Sequence, residues 1–314
     1  MPLALRLVGD IGGTNARFAI AQGGAIGEVT VLPTKDFPSF EAAVLGYLGV
    51  RPPSGPVREA AFAIAAPVTG DHVSFTNRNW QFSISELRTK LELERLDVLN
   101  DFTANAVALP HLKGTDLQAV GGGFAVPNRP IGVLGPGTGL GVSGLIPSTA
   151  GWIPLTGEGG HATLPATTTR EASVIERLQE KYGHVSAERA LSGEGLLSLY
   201  VALAALEGVP AVSQTAADVT TRALDGSDRI AVDAVDLFCA FLGTVASDLA
   251  LTLGAQGGIY IAGGIVPRWG ATFAKSSFRA RFETKGRFST YLATIPTAVV
   301  RHSALAFVGL ANLQ

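Results

Sequence analysis

Cysteine is almost absent from this chain: Cys239 is the only one in 314 residues. No disulfide can close within the chain, and no cysteine-rich zinc site can form. Cys239 lies in an apolar helical run and is expected to be a small buried hydrophobe, in keeping with a cytoplasmic setting. Charge of one sign is also missing. Charged residues make up 16% of the chain and leave a formal net charge of −2, with no basic stripe. A nucleic-acid partner therefore has no electrostatic footprint and none is expected. Aromatic residues are few, at 7%. Long apolar runs are broken where a membrane would need them. The first stops at Asp10 and a glycine cluster, unlike the core of a signal peptide. Residues 249–267 carry no charge and are long enough to check as a span, yet Gly254, Gln256, Gly257 and Gly258 interrupt them. That stretch is expected to be a helix end, a turn and a buried strand, with no membrane partner.

Core material and turns are abundant instead. Hydrophobic residues reach 47% and glycines number 38, with a mean hydropathy of +0.31. This suits close-packed α/β layers joined by tight turns. The length allows two domains or one large one. Apolar patterning predicts paired strands at residues 3–8 and 16–21, a third at 28–33, a helix at 40–48 and a strand at 60–65. Ser83-Ile84-Ser85-Glu86 has the form of a capping box and predicts a helix to about Leu93. A buried strand at 96–99 runs into Asn100-Asp101 and a helix that Pro110 stops. The alternation implies a mixed or parallel sheet with covering helices.

A second strand-rich block begins near Ala119. Strands at 131–134 and 142–146 flank Gly135-Pro136-Gly137-Thr138-Gly139-Leu140-Gly141, loosely repeating the first hairpin and suggesting two related halves. Helices dominate afterwards. Thr168-Thr169-Arg170-Glu171 is a capping box opening a helix to about Tyr182, followed by helices at 187–191, 195–207 and 232–253. A strand at 259–262 leads into Gly263-Gly264. An amphipathic helix at 303–313 is expected to pack back on the first half. The expected domains are a small α/β one, 1–110 plus 301–314, and a large α+β one, 111–300.

The most informative stretch is Val8-Gly9-Asp10-Ile11-Gly12-Gly13-Thr14-Asn15-Ala16-Arg17-Phe18. Strand, tight turn, strand is the pattern. Glycines there let a phosphate approach the main chain, and Thr14 adds a hydroxyl. Asp10 would repel phosphate unless a cation intervenes, and Mg²⁺, bound through water, is the candidate. A plain hairpin turn with an edge aspartate fits the same residues. Asn100-Asp101 sits directly after a buried strand, where ligands bind in open α/β sheets. An aspartate there serves equally as a proton acceptor or as a helix N-cap. Gly157-Glu158-Gly159-Gly160-His161 concentrates an acid and an imidazole among glycines, which a purely structural turn does not need. Zinc is a poorer reading, because the ligand spacing is absent. Glu188, in Ser186-Ala187-Glu188-Arg189, reads on its own as a helix-dipole partner.

These motifs, in this order, closely resemble the bacterial ATP-dependent glucokinases, within the sugar-kinase and actin-like ATPase superfamily. The pieces are LVGDIGGTNARFA, the T-G-D at residues 69–71, LNDFTANAVALP, GTGLGV, GEGGHATLP, GHVSAERALSGEGL, IAGGIVPR and FRARFETKGRF, and they span nearly the whole chain. The resemblance implies a two-domain actin-like ATPase (ribonuclease H-like) fold with mixed sheets and an active-site cleft between domains. It implies Asp101 as the base on the 6-hydroxyl of glucose. It implies Asn100, Asp101, Glu158, His161 and Glu188 as sugar ligands. It places Gly9, Asp10, Ile11, Gly12, Gly13, Thr14, Gly137, Thr138 and Gly139 around the phosphates of ATP, with Gly263 and Gly264 near the nucleoside and Mg²⁺ at Asp10. A homodimer is the expected assembly.

The departures are Pro136, beside the second glycine turn, and Glu194, inside Ser192-Gly193-Glu194-Gly195. The related kinase and repressor family with a cysteine-rich zinc motif matches poorly, since only Cys239 is available. The expected reaction is ATP plus glucose giving ADP and glucose 6-phosphate, with domain closure excluding water. A kinase of another hexose, a sugar-sensing regulator without turnover and a partner-remodelling ATPase are the alternatives. The regulator would lack Asp101 or add a DNA-binding segment; the ATPase would not need Glu158, His161 and Glu188.

Overall fold

A computed structural model describes residues 4–75 and 79–313. Residue 3, where the first strand was expected to begin, lies outside them. The chain divides into two compact units, residues 1–113 with 302–314, and residues 114–301.

In the first unit, β1 (Leu5–Ile11) and β2 (Asn15–Gln22) form an antiparallel hairpin. Both β3 (Ala25–Ile26) and β4 (Thr30–Pro33) pair with β2. After α1 (Phe40–Val50), β5 (Val57–Ile64) adds parallel to β1. A small hairpin follows, β6 (His72–Ser74) and β7 (Gln81–Ser83), then α2 (Ile84–Lys90). Strand β8 (Arg95–Asn100) adds parallel to β5 and feeds α3 (Asp101–Ala108). Helix α2 is shorter than the expected run to Leu93. Leu91 caps it and Glu92 turns to φ +53°. One face of the sheet buries Phe18, Phe40, Tyr47, Phe62 and Trp80.

The C-terminal helix (Leu305–Ala311) packs against α3 in the same unit. A Cβ at Gly309 would stand 2.0 Å from the Ala104 carbonyl oxygen, so glycine sets the closeness of that crossing. Arg6 secures the far end, donating to Leu313 O at 2.6 Å and Leu310 O at 3.2 Å while pairing with Glu59.

The second unit carries β9 (Leu117–Ala119), β10 (Ile131–Pro136), β11 (Leu140–Ser148), β12 (Gly151–Pro154), β13 (Ile259–Ile261) and β14 (Thr297–Val300) in one sheet of order β12-β11-β10-β13-β14-β9. The first sheet runs β3-β2-β1-β5-β8. In each, a hairpin takes a third antiparallel strand on one side and two parallel strands on the other. The loose sequence repeat of the two glycine turns thus coincides with a repeated strand order.

The helices of this unit are α4 (Thr169–Tyr182), α5 (Ala187–Ala190), α6 (Gly193–Leu206), α7 (Ala216–Asp225), α8 (Arg229–Leu253), α9 (Val266–Trp269), α10 (Ala271–Lys275), α11 (Phe278–Glu283) and α12 (Ser289–Ala293). Helix α4 opens on the expected capping box, with both bonds between Thr168 and Glu171 made. Helix α8 is the one described helix long and apolar enough to cross a membrane, and 72% of its apolar window is buried inside the protein. Gly254 ends it in the left-handed conformation, at φ +61°. Cys239 is fully buried in α8, and burial pushes its thiol up to about 12.

Candidate active site

Parallel strands deliver the candidate residues of the first unit to one edge. Ile11, at the end of β1, pairs with Ile64 of β5, which pairs with Asn100 of β8. Two strand spacings, roughly 10 Å of main chain, separate the first glycine turn from Asn100. In that turn Gly12 N–H donates to Asn15 O at 3.0 Å. Thr34, fully buried, clamps it: its Oγ1 donates to Gly13 O at 2.9 Å and Thr14 O at 3.0 Å, and its N–H to Thr14 O at 2.9 Å. These carbonyls face the protein, while Gly13 and Thr14 lie at the surface.

Gly9 has a different reason to be glycine. It is buried mid-strand opposite Phe18 and Phe62, and a Cβ there would meet both rings at 2.8–2.9 Å. The Ile11 side chain likewise belongs to the core. Asp10 pairs across the hairpin with Arg17. Burial pushes the Asp10 carboxyl up, and the Arg17 guanidinium opposes that shift.

The capping of α3 falls to Asn100, not Asp101. Asn100 Oδ1 accepts Phe102 N–H at 2.8 Å and Thr103 N–H at 3.3 Å, and its Nδ2 donates to Ala66 O at 3.5 Å. Asp101 occupies the first helical position, half-buried, with Phe102 N–H also within 2.9 Å of its Oδ1. The N-cap reading of Asp101 is therefore corrected by one residue, because the extended Asn100 backbone ends the strand and begins the cap.

The second unit gathers its candidates around the turn from β10 to β11. Gly137 N–H closes on Gly139 O at 2.8 Å. Glu188 reaches this turn, with Oε2 accepting Leu140 N–H at 2.9 Å. The loop holding Glu158 and His161 folds as a short 3-10 turn, Gly159–His161. Gly160 is buried against Leu140, where a Cβ would come within 2.0 Å of its carbonyl oxygen. Ala187 N–H donates to Ala162 O at 2.8 Å and Leu164 N–H to Val185 O at 3.0 Å, so this loop and α5 travel together. Gly263, at φ +82°, lies against the other side of the turn, with a Cβ only 2.4 Å from Pro136 O. Ile265 N–H bonds Pro136 O at 3.3 Å. Glu158, His161, Glu188, Gly137, Thr138, Gly139, Gly263 and Gly264 thus share one neighbourhood.

Three participants were not singled out from sequence. They are the clamp Thr34, the ion-pair partner Arg17, and Gly193, whose N–H donates to Gly137 O at 2.9 Å. Arg17 carried a signal: it stands three residues after the Gly12-Gly13-Thr14 turn and opposite an acid across the hairpin. Thr34 carried none, since a buried threonine has no pattern of its own.

A family model for glucokinase matches residues 7–314. The chain belongs to the glucokinase family. The glucokinase of Nitrobacter hamburgensis is 50% identical over 310 residues, covering 99% of this chain and 97% of the relative. That of Paramagnetospirillum magneticum is 52% identical over 315 residues, covering 98% and 96%. Among solved structures, a glucokinase from an Antarctic psychrotroph superposes with a TM-score of 0.90 at 37% identity, covering 98% of this chain and 97% of that one. A Streptomyces griseus glucokinase of the ROK family, in complex with glucose and AMPPNP, shares the fold at a TM-score of 0.64 and 17% identity, covering 99% of each chain. Family membership makes this chain an ATP-dependent hexose kinase, a phosphotransferase of actin-like ATPase fold.

Proposed function

We propose that the chain phosphorylates the 6-hydroxyl of D-glucose from ATP, with Asp101 as the general base. The observation that carries this is the division of labour at the start of α3. Asn100 takes the cap, so an acid at the next position is not needed to hold the helix. Asp101 accepts the proton of the 6-hydroxyl, the freed oxygen forms its bond to the γ-phosphorus, and the bond to ADP breaks. Such transfers rely on positioning and charge neutralisation more than on covalent chemistry. Asn100, Glu158, His161 and Glu188 hold the other sugar hydroxyls. The Gly12-Gly13-Thr14 and Gly137-Thr138-Gly139 turns receive phosphates, and Gly263 and Gly264 admit the nucleoside.

Mg²⁺ fits the residues present. No group of three or more acidic, histidine or cysteine side chains is clustered for a metal among the described residues. Mg²⁺ commonly takes only one or two carboxylates, its remaining ligands coming from phosphates and water. Asp10, beside the first turn and paired with Arg17, would supply that single carboxylate, and the ion when bound would neutralise charge on the transferring phosphoryl group. We assign the reaction to the cytoplasm as a homodimer. The lone buried thiol of Cys239 agrees with the first.

A coupled assay with ATP across a panel of hexoses tests the substrate. Turnover confined to another hexose would replace glucose. Binding of glucose by calorimetry with no turnover would make the chain a sensor.

A further inference from the structure

The turn between β10 and β11 is gripped by groups that the proposed sugar site also uses. Glu188 Oε2 accepts Leu140 N–H at 2.9 Å. The same oxygen lies so near Gly139 that a Cβ there would sit 2.4 Å away, so glycine at this position is what admits the carboxylate. On the next peptide, Gly160 of the Glu158–His161 loop abuts Leu140 O. Gly193 N–H takes Gly137 O at 2.9 Å. Both peptide groups of Leu140 are therefore fixed from the side of the chain that carries Glu158, His161 and Glu188. An ionised carboxylate has about four acceptor positions. Leu140 uses one on Oε2, which leaves Oε1 able to take a sugar hydroxyl at the same time.

We propose that Glu188 is a positioning residue for the nucleotide turn as well as a sugar ligand. Its carboxylate holds Leu140 N–H and with it Gly137-Thr138-Gly139, so hexose and nucleotide bind with positive coupling through one side chain. A hydroxyl that bonds Oε1 immobilises the carboxylate in the orientation that Oε2 needs. By reciprocity, a nucleotide that orders the turn orients Glu188 for the sugar. This rests on the reading above that the turn receives phosphates and that Glu188 binds glucose.

Calorimetric titration of the full chain with AMPPNP and Mg²⁺, without and with saturating glucose, and separately with glucose alone, tests the coupling: glucose should tighten AMPPNP binding in wild type and not in Glu188→Ala, and equal AMPPNP affinities with and without glucose in wild type overturn it. Glu188→Gln keeps a carbonyl for Leu140 N–H but offers the sugar one acceptor fewer. Its AMPPNP affinity should stay within about twofold of wild type while glucose weakens at least about tenfold. Glu188→Ala removes both contacts, and sugar-free AMPPNP binding should weaken about tenfold as well. Gly139→Ala retains the carboxylate but pushes it off the turn, so both affinities should fall; this variant carries the test if Glu188→Ala fails to fold. Wild-type AMPPNP affinity in Glu188→Ala, with a loss in Thr138→Ala, overturns the proposal and leaves the nucleotide turn standing. Unchanged affinity in both variants overturns the proposal together with the phosphate reading of the turn. Unchanged glucose affinity in Glu188→Gln and Glu188→Ala removes Glu188 from the sugar site and ends the coupling.

Discussion

At the scale of single residues, two acceptors side by side have different duties. Asn100 satisfies the first N–H groups of α3, and Asp101 follows it into the helix. Asp101→Asn should leave the thermal midpoint nearly unchanged, since the cap survives. Its kcat should fall by roughly 10²–10⁴, with a smaller effect on glucose binding. Near-normal turnover in this variant would remove Asp101 from the chemistry. Asp10 is an acid with a definite partner, Arg17. Asp10→Ala frees Arg17 and should raise the Mg²⁺ concentration needed for half-maximal activity several-fold or abolish activity. Calorimetric glucose binding should persist. An unchanged Mg²⁺ dependence would leave Asp10 as a hairpin residue paired with Arg17. The glycines of the first turn were legible because their spacing between two apolar runs has few other uses. Gly9 was not separable from them, because its reason is the pair of rings on neighbouring strands, which sequence spacing does not reveal.

Among elements, α3 matters most, because Asn100 and Asp101 begin it and the C-terminal helix holds it. Gly309 is the point of closest approach, against Ala104 O. Gly309→Ala should cost about 1–3 kcal/mol by overpacking and shift α3, lowering kcat although the residue is distant in sequence from Asp101. Thermal unfolding and kcat measured together check this; a stable variant with reduced kcat would separate helix position from stability. The long helix, the capped helix α4 and both hairpins were legible from periodicity, capping residues and glycine turns. Helix α7 was not assigned, although Thr215 and Asp218 form a full capping box around it. Its signal was present and short. Helices α9–α12 have four to six residues each. Fewer than two turns give no repeat of the 3.6-residue period for a pattern to show. The reach of Glu188 to Leu140 was equally invisible, since 48 residues separate them.

Across the whole molecule, the most buried ion pair among the described residues is Glu171 with Arg281. Arg281 lies in the FRARFETKGRF stretch, 110 residues away. Glu171 also accepts Thr167 N–H at 2.6 Å, Thr167 Oγ1 at 2.9 Å and Thr168 N–H at 3.2 Å. Burial alone would raise its carboxyl, but the Thr167 bonds and the Arg281 guanidinium together outweigh it and hold the group below the usual glutamate range. A carboxyl whose pKa is lower in the fold than in the open chain binds fewer protons when folded. Its stabilisation is complete above the open-chain value, roughly pH 4–5, and is lost as the pH falls through the folded value. Glu171→Gln should therefore cost roughly 3 kcal/mol at pH 7, as breaking a buried pair does. The gap in thermal midpoint between wild type and variant should narrow below about pH 4. Scans at pH 7, 5, 4 and 3 measure that gap. Cys239 gives an independent reading of the same unfolding, because its thiol is buried and held up to about 12. A maleimide should label it only as the fold opens, and at pH 7 faster in Glu171→Gln than in wild type. A gap that stays constant from pH 7 to pH 3, or equal labelling rates in the two proteins, would show that this pair does not hold the helices of the second unit together.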